Sequence, residues 1–211
     1  MLTEQLVRIA GLDGNLTIPD GARGIVLFAH GSGSSRHSPR NRYVAAELQR
    51  AGFATLLIDL LTPEEEEVDW RTRRLRFDIG LLAGRLVTVT DWLGQEPDTR
   101  DLKIGYFGAS TGAAAALVAA AERPESVGAV VSRGGRPDLA GAALPYVKAP
   151  TLLIVGGEDG PVIGMNQEAL ALLRVEKKLV IVPGASHLFE EPGALEKVAR
   201  HASGWLMQHI A

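Results

Sequence analysis

Ser110 lies in Gly108-Ala109-Ser110-Thr111-Gly112, a G-x-S-x-G run between an apolar stretch (residues 102–107) and a segment of almost nothing but Ala, Leu and Val. Between a strand and a helix, this spacing makes a sharp turn that exposes the serine hydroxyl above the sheet edge. The flanking glycines let strand and helix pass where a Cβ would collide. The same residues also fit an Ala/Gly-rich helix start capped by Ser110 or Thr111, in a chain with 24 glycines. The strand–turn–helix context favours a nucleophile.

A serine hydroxyl needs a base, and a neutral imidazole suits that task near pH 7. Of five histidines, His201 and His209 fall in the final helical segment, and His30 and His37 precede the serine. His187 alone follows the last predicted strand, in a loop, after Ser110 and the candidate acids. The imidazole in turn needs a carboxylate to fix its tautomer. Asp159 follows the TLLIV strand in a glycine-flanked loop; Glu158 is its main rival, with Asp138 and Asp59 behind. The order Ser…Asp…His, each member released by its own strand, is the hydrolase arrangement. A developing oxyanion needs backbone N–H donors. Thr111 offers one at a helix start, and the loop His30-Gly31-Ser32 offers another, best from Ser32. A phosphate-cradling reading of that loop lacks both G-x-x-x-x-G-K-[ST] and the third glycine of G-x-G-x-x-G.

The elements that must position these residues follow from periodicity. Residues 5–10 and 15–18 alternate around Gly11-Leu12-Asp13-Gly14, predicting an antiparallel edge hairpin. Continuous apolar runs at 24–29, 53–58, 102–107, 128–131, 151–155 and 178–182 predict buried parallel strands. Helical spacing covers 42–51, 69–93, 165–173 and 192–209. Residues 60–68, with Pro63 and four successive glutamates, read as a solvated loop or helix start, and 60–77 as a short lid. Alternating strands and helices predict an α/β fold: a mostly parallel, doubly wound sheet with helices on both faces, in one domain over 1–211. Ligands of such sheets bind beyond the carboxyl ends of the strands, where every candidate residue falls.

Composition narrows the classes. A net charge of −3 with no basic run argues against a nucleic-acid partner. Without cysteine there is no disulfide, thiol nucleophile or thiolate metal site. The N-terminus does not read as a signal peptide, and no apolar stretch reaches the length of a membrane span, so the expected location is cytoplasmic, without membrane association.

The matches HGSGSS, D-L-L-T-P-E-E-E, GASTG, GGED and PGASHLFEEP make the chain resemble the small, capless α/β-hydrolases of the dienelactone hydrolase family over nearly its whole length. The resemblance implies Ser110 as nucleophile, Asp159 as orienter and His187 as base. Its best-known members use cysteine as nucleophile; serine at 110 departs from this and favours a serine esterase. The expected activity is hydrolysis of a small carboxylic ester or lactone through an acyl-enzyme, with no metal or organic cofactor, by a monomer or homodimer. The alternatives are acyl transfer or perhydrolysis by the same triad, and a non-catalytic binding module. Arg36, Arg40, Arg133 and Arg136 follow strands; they are either surface residues or a pocket cluster for an anionic acyl group.

Overall fold

The computed structural model describes residues 3–211. Its centre is an eight-stranded sheet in the order β1-β2-β4-β3-β5-β6-β7-β8. The antiparallel part is β1 (Glu4–Ile9) and β2 (Leu12–Thr17), with β2 also antiparallel to β4 (Ala54–Ile58). All other pairings, among β3 (Ile25–Ala29), β4, β5 (Ile104–Ala109), β6 (Val127–Arg133), β7 (Thr151–Gly156) and β8 (Lys177–Val182), are parallel. Every residue of β3, β4, β5 and β7 is buried, as strands covered on both faces require. The outer strand β8 exposes Lys177 and Lys178, charges that discourage edge-to-edge pairing.

Helices cover both faces. On one, α1 (Pro39–Arg50) and α6 (Ala194–Ile210) pack together over a core including Phe28, Val44, Phe107, Val131 and Leu206. On the other, α3 (Ile79–Leu93) and α4 (Thr111–Glu122) pack together over Leu27, Leu56, Leu86, Tyr106 and Leu117. Chain order leaves β3 toward β4 on one side and, after α3, returns to β5 on the other. That reversal is the switch point where a crevice opens at the carboxyl ends of β3 and β5.

Several expected boundaries change. The hairpin turns at Ala10-Gly11, both with positive φ (50 and 86), so Leu12 and Asp13 belong to β2 and not to the turn. The first helix starts three residues earlier than expected because Ser38 caps it, its hydroxyl accepting the Asn41 N–H, and Pro39 suits its first position. The acidic stretch is a helix, α2 (Pro63–Thr72), capped reciprocally by Thr62 and Glu65. The single helix expected over 69–93 is three pieces. α2 stops where Arg73 turns left-handed (φ 53), a 3-10 turn spans Leu75–Phe77, and Asp78 caps α3. The helix expected over 165–173 begins earlier, as α5 (Gly160–Leu172), directly after Asp159.

Candidate active site

β5 ends at Ala109, and Ser110 adopts φ 51, ψ −121 before α4 begins at Thr111. Left-handed backbone at a non-glycine residue is strained by about 1–3 kcal/mol and persists only where its surroundings dictate it. Here the surroundings do. A Cβ at Gly108 would lie 2.4 Å from the Ala113 Cα, and one at Gly112 only 2.3 Å from the Ala29 carbonyl oxygen. Strand β3, strand β5 and helix α4 therefore meet with no room for side chains, and the chain must turn at Ser110.

His187 lies on the loop after β8, half-buried, with Nδ1 2.6 Å from Asp159 Oδ2. An ionised carboxylate only accepts, so Nδ1 carries a proton, and in the neutral ring Nε2 is the nitrogen with the free lone pair. Asp159 stands just after β7 and directly before α5, its side chain 13% exposed. Of the rival acids, Glu158 is exposed, Asp138 holds Arg136, and Asp59 holds Arg36. The His187 loop is pinned on both sides. The Glu191 carboxylate accepts the Ser186 N–H at 3.0 Å, and Phe189, at φ 57, buries its ring in the core beside α6. Gly134 links base to nucleophile: a Cβ there would sit 3.5 Å from the His187 ring, and the preceding Arg133 carbonyl accepts the Ser110 N–H at 3.3 Å. Ser110 Oγ has no hydrogen bond among the described residues; in substrate-free sites the nucleophile–base bond is often loose and tightens on binding.

Opposite His187, the loop after β3 reaches the elbow, where a Cβ on Gly31 would come 3.1 Å from the Ser110 Cβ. Among the described residues the Thr111 and Ser32 N–H groups donate to no backbone or side-chain acceptor. His30, which the sequence offered only as a rejected base, braces this loop. Its Nδ1 donates to the Gly31 carbonyl at 2.9 Å, and its Nε2 accepts the Leu60 N–H at 3.1 Å. Both bonds require a neutral ring, and burial holds its pKa below the ordinary histidine value. Beside the loop is a cavity of about 110 Å³ bounded by Ser32, Thr111, Leu60, Leu82, Trp70 and Arg76. Residues from 60–77 thus wall it, with Arg76 fixed by buried Asp69 at 2.5 Å.

The four arginines part company. Arg36 is paired with Asp59, and Arg136 makes a two-pronged bond to Asp138 at 2.9 and 2.8 Å. Arg40 reaches the exposed Glu190 at 3.1 Å. Arg133 is buried, and among the described residues its Nε and Nη1 donate to no acceptor. Among the described residues no group of three or more His, Cys, Asp or Glu could hold a metal ion, and no helix is long and apolar enough to cross a membrane.

A mostly parallel sheet with a strained serine at its switch point, and an Asp–His pair on the loops after β7 and β8, defines the α/β-hydrolase fold. Within it, the chain belongs to the dienelactone hydrolase family, whose model matches residues 12–208. It is 70% identical to a protein solved as a dienelactone hydrolase from Anabaena variabilis, with TM-score 0.98 over 100% of this chain and 99% of that one. Est1E from Butyrivibrio proteoclasticus shares the fold at 15% identity, with TM-score 0.79 over 97% of this chain and 98% of that one. A Mycobacterium tuberculosis protein carrying the provisional name phosphoribosyl transferase is 61% identical over 210 residues, 98% of this chain. The chain spans only 46% of that relative.

Proposed function

We propose that this protein is a serine hydrolase that cleaves a small carboxylic ester or lactone through an acyl-enzyme. The observation that carries the reading is the 2.6 Å His187–Asp159 pair at the sheet edge where Ser110 is held at φ 51. Family membership and the likeness to a dienelactone hydrolase support it.

In this reading Ser110 Oγ attacks the ester carbonyl while His187 Nε2 takes its proton. Asp159 fixes the tautomer and stabilises the imidazolium that forms. The carbonyl oxygen, becoming an oxyanion, receives the N–H groups of Thr111 and Ser32, already free and held by α4 and by the His30 brace. His187 then gives the proton to the departing alkoxide. Water, deprotonated by the same ring, attacks the acyl-enzyme, and the proton returns to Ser110 as the acid leaves. A cavity of about 110 Å³ beside Thr111 fits a short acyl group of a few carbons, covered by α2 and the turn after it.

Ser110→Ala is expected to lower turnover of a propionyl or butyryl ester by a factor on the order of 10⁴ or more. Wild-type turnover in that variant would end the proposal.

A further inference from the structure

A short segment, Arg133-Gly134-Gly135-Arg136, runs from the end of β6 between the nucleophile turn and the histidine loop. It holds Ser110 by both of its backbone groups. The Arg133 carbonyl accepts the Ser110 N–H at 3.3 Å, and the Arg136 N–H donates to the Ser110 carbonyl at 3.1 Å. It also backs the base. A Cβ on Gly134 would come 3.1 Å from the His187 carbonyl oxygen and 3.5 Å from the ring atoms Nδ1 and Cε1. Two successive glycines, the first at φ 51, offer no side chains that packing could hold. On the β7 side the Gly134 N–H donates to the Ile154 carbonyl at 2.8 Å. The Gly135 carbonyl is held by a side chain.

That side chain is Asn166, on the second turn of α5 and wholly buried. Its Nδ2 donates to the Gly135 carbonyl at 3.1 Å, across 31 residues, and to the Val162 carbonyl of its own helix at 2.8 Å. Both partners are carbonyls, so only the amide nitrogen can face them. Its Oδ1 is buried with no hydrogen-bond partner among the described residues. A buried amide with an unmatched oxygen is less favourable than an apolar side chain in the same space, and asparagine is a poorer helix former than leucine. What the amide supplies is a link between elements. α5 begins directly after Asp159, about two turns before Asn166. One helix therefore carries the orienting acid at its start and grips the glycine segment further along.

We infer that Asn166 is a positioning residue for the proposed triad: its amide locks residues 133–136 to α5 and so sets Ser110 against the His187–Asp159 pair. It touches no reacting atom and acts through Ser110 and His187, and the inference rests on Ser110 being the nucleophile. A misplacement of about 1 Å between reacting groups costs roughly 100-fold in rate. Because the substrate contacts stay in place, that loss belongs in kcat and not in KM.

The test uses the whole chain and a propionyl ester. In Asn166→Leu, which removes the donor at similar volume, kcat should fall about 10- to 100-fold while KM stays within about twofold. Asn166→Asp is the isostere. Ionised, it turns only acceptors toward two carbonyls; protonated, it regains one O–H donor. Its kcat, taken as a ratio to wild type at each pH, should therefore climb toward one as pH falls from about 9 to about 6. A merely structural asparagine would lower Tm in both variants and leave the kcat of folded protein unchanged. Wild-type kcat in folded Asn166→Leu, or a ratio for Asn166→Asp that is flat with pH, overturns the inference. If Asn166→Leu does not fold, the Asn166→Asp ratio decides alone.

Hydrogen exchange separates the clamp from the hydrolase reading, since it needs no turnover. The Ser110 and Arg136 amides should exchange about tenfold faster or more in Asn166→Leu, or in ionised Asn166→Asp, while those of α6 keep their wild-type rates. That response in a protein that hydrolyses no ester would sustain the clamp and end the hydrolase reading. Unchanged exchange refutes the clamp whatever the ester assay gives.

Discussion

At the scale of single residues, the site depends on side chains whose neighbours leave them one state. Ser110 keeps a left-handed backbone because β3 and α4 close on it, and His187 keeps its Nδ1 proton because Asp159 can only accept. His30 obeys the same logic with a consequence for pH. Its Nε2 must stay unprotonated to accept the Leu60 N–H, and burial lowers its pKa from the ordinary 6.5. The unfolded chain therefore takes up this proton first as pH falls below about 6.5, so His30 favours folding above that value. The contribution is lost as pH drops toward the lowered folded-state pKa. His201 is lowered as well, by burial and the nearby Arg200 and Lys178, and acts in the same direction. Calorimetric melting of His30→Asn between pH 8 and 5 should therefore show a shallower fall in Tm than the wild type; equal slopes would remove His30 from this role.

At the scale of elements, the strands and the loops they release are legible in the sequence. A parallel strand buried on both faces must be apolar throughout, which is why GIVLFA and TLLIV point directly to the loops carrying Ser32 and Asp159. At residues 60–68 the glutamates and proline left a solvated loop and a helix start both open, although Thr62-Pro63-Glu64-Glu65 carries the capping-box spacing that starts α2. The break after it depends on Arg73 at φ 53, a backbone state that no periodicity reveals. Nor could sequence separate the four arginines. Asp59 meets Arg36 and Glu190 meets Arg40 through tertiary packing, across 23 and 150 residues. The brace from His30 to Leu60 was likewise invisible, since it exists only because β3 and β4 pair in register. If α2 shapes the cavity, weakening its cap should be felt there. Thr62→Ala is expected to cost about 1 kcal/mol in a urea melt and to raise KM for a short ester more than it lowers kcat. An unchanged KM would limit α2 to a structural part.

At the scale of the whole molecule, two cores on opposite faces of one sheet hold the candidate site at their shared edge. The α3–α4 side supplies the cavity and the helix start behind Thr111; the α1–α6 side anchors the His187 loop through Phe189. The sheet order brings these together, because the reversal between β3 and β5 sets the Ser32 loop against the Ser110 turn, with β6, β7 and β8 following on the far side. The same frame serves a dienelactone hydrolase of 70% identity and part of a longer mycobacterial protein of 61% identity, so substrate choice has to be sought in the residues around the edge. In the proposed function this frame makes Ser110 a nucleophile. The direct measurement is reaction with a fluorophosphonate, followed by peptide mass spectrometry. A single stoichiometric adduct on Ser110 is expected, greatly slowed in His187→Ala and absent in Ser110→Ala. An unlabelled Ser110 in folded wild-type protein, or equal labelling without His187, would contradict it.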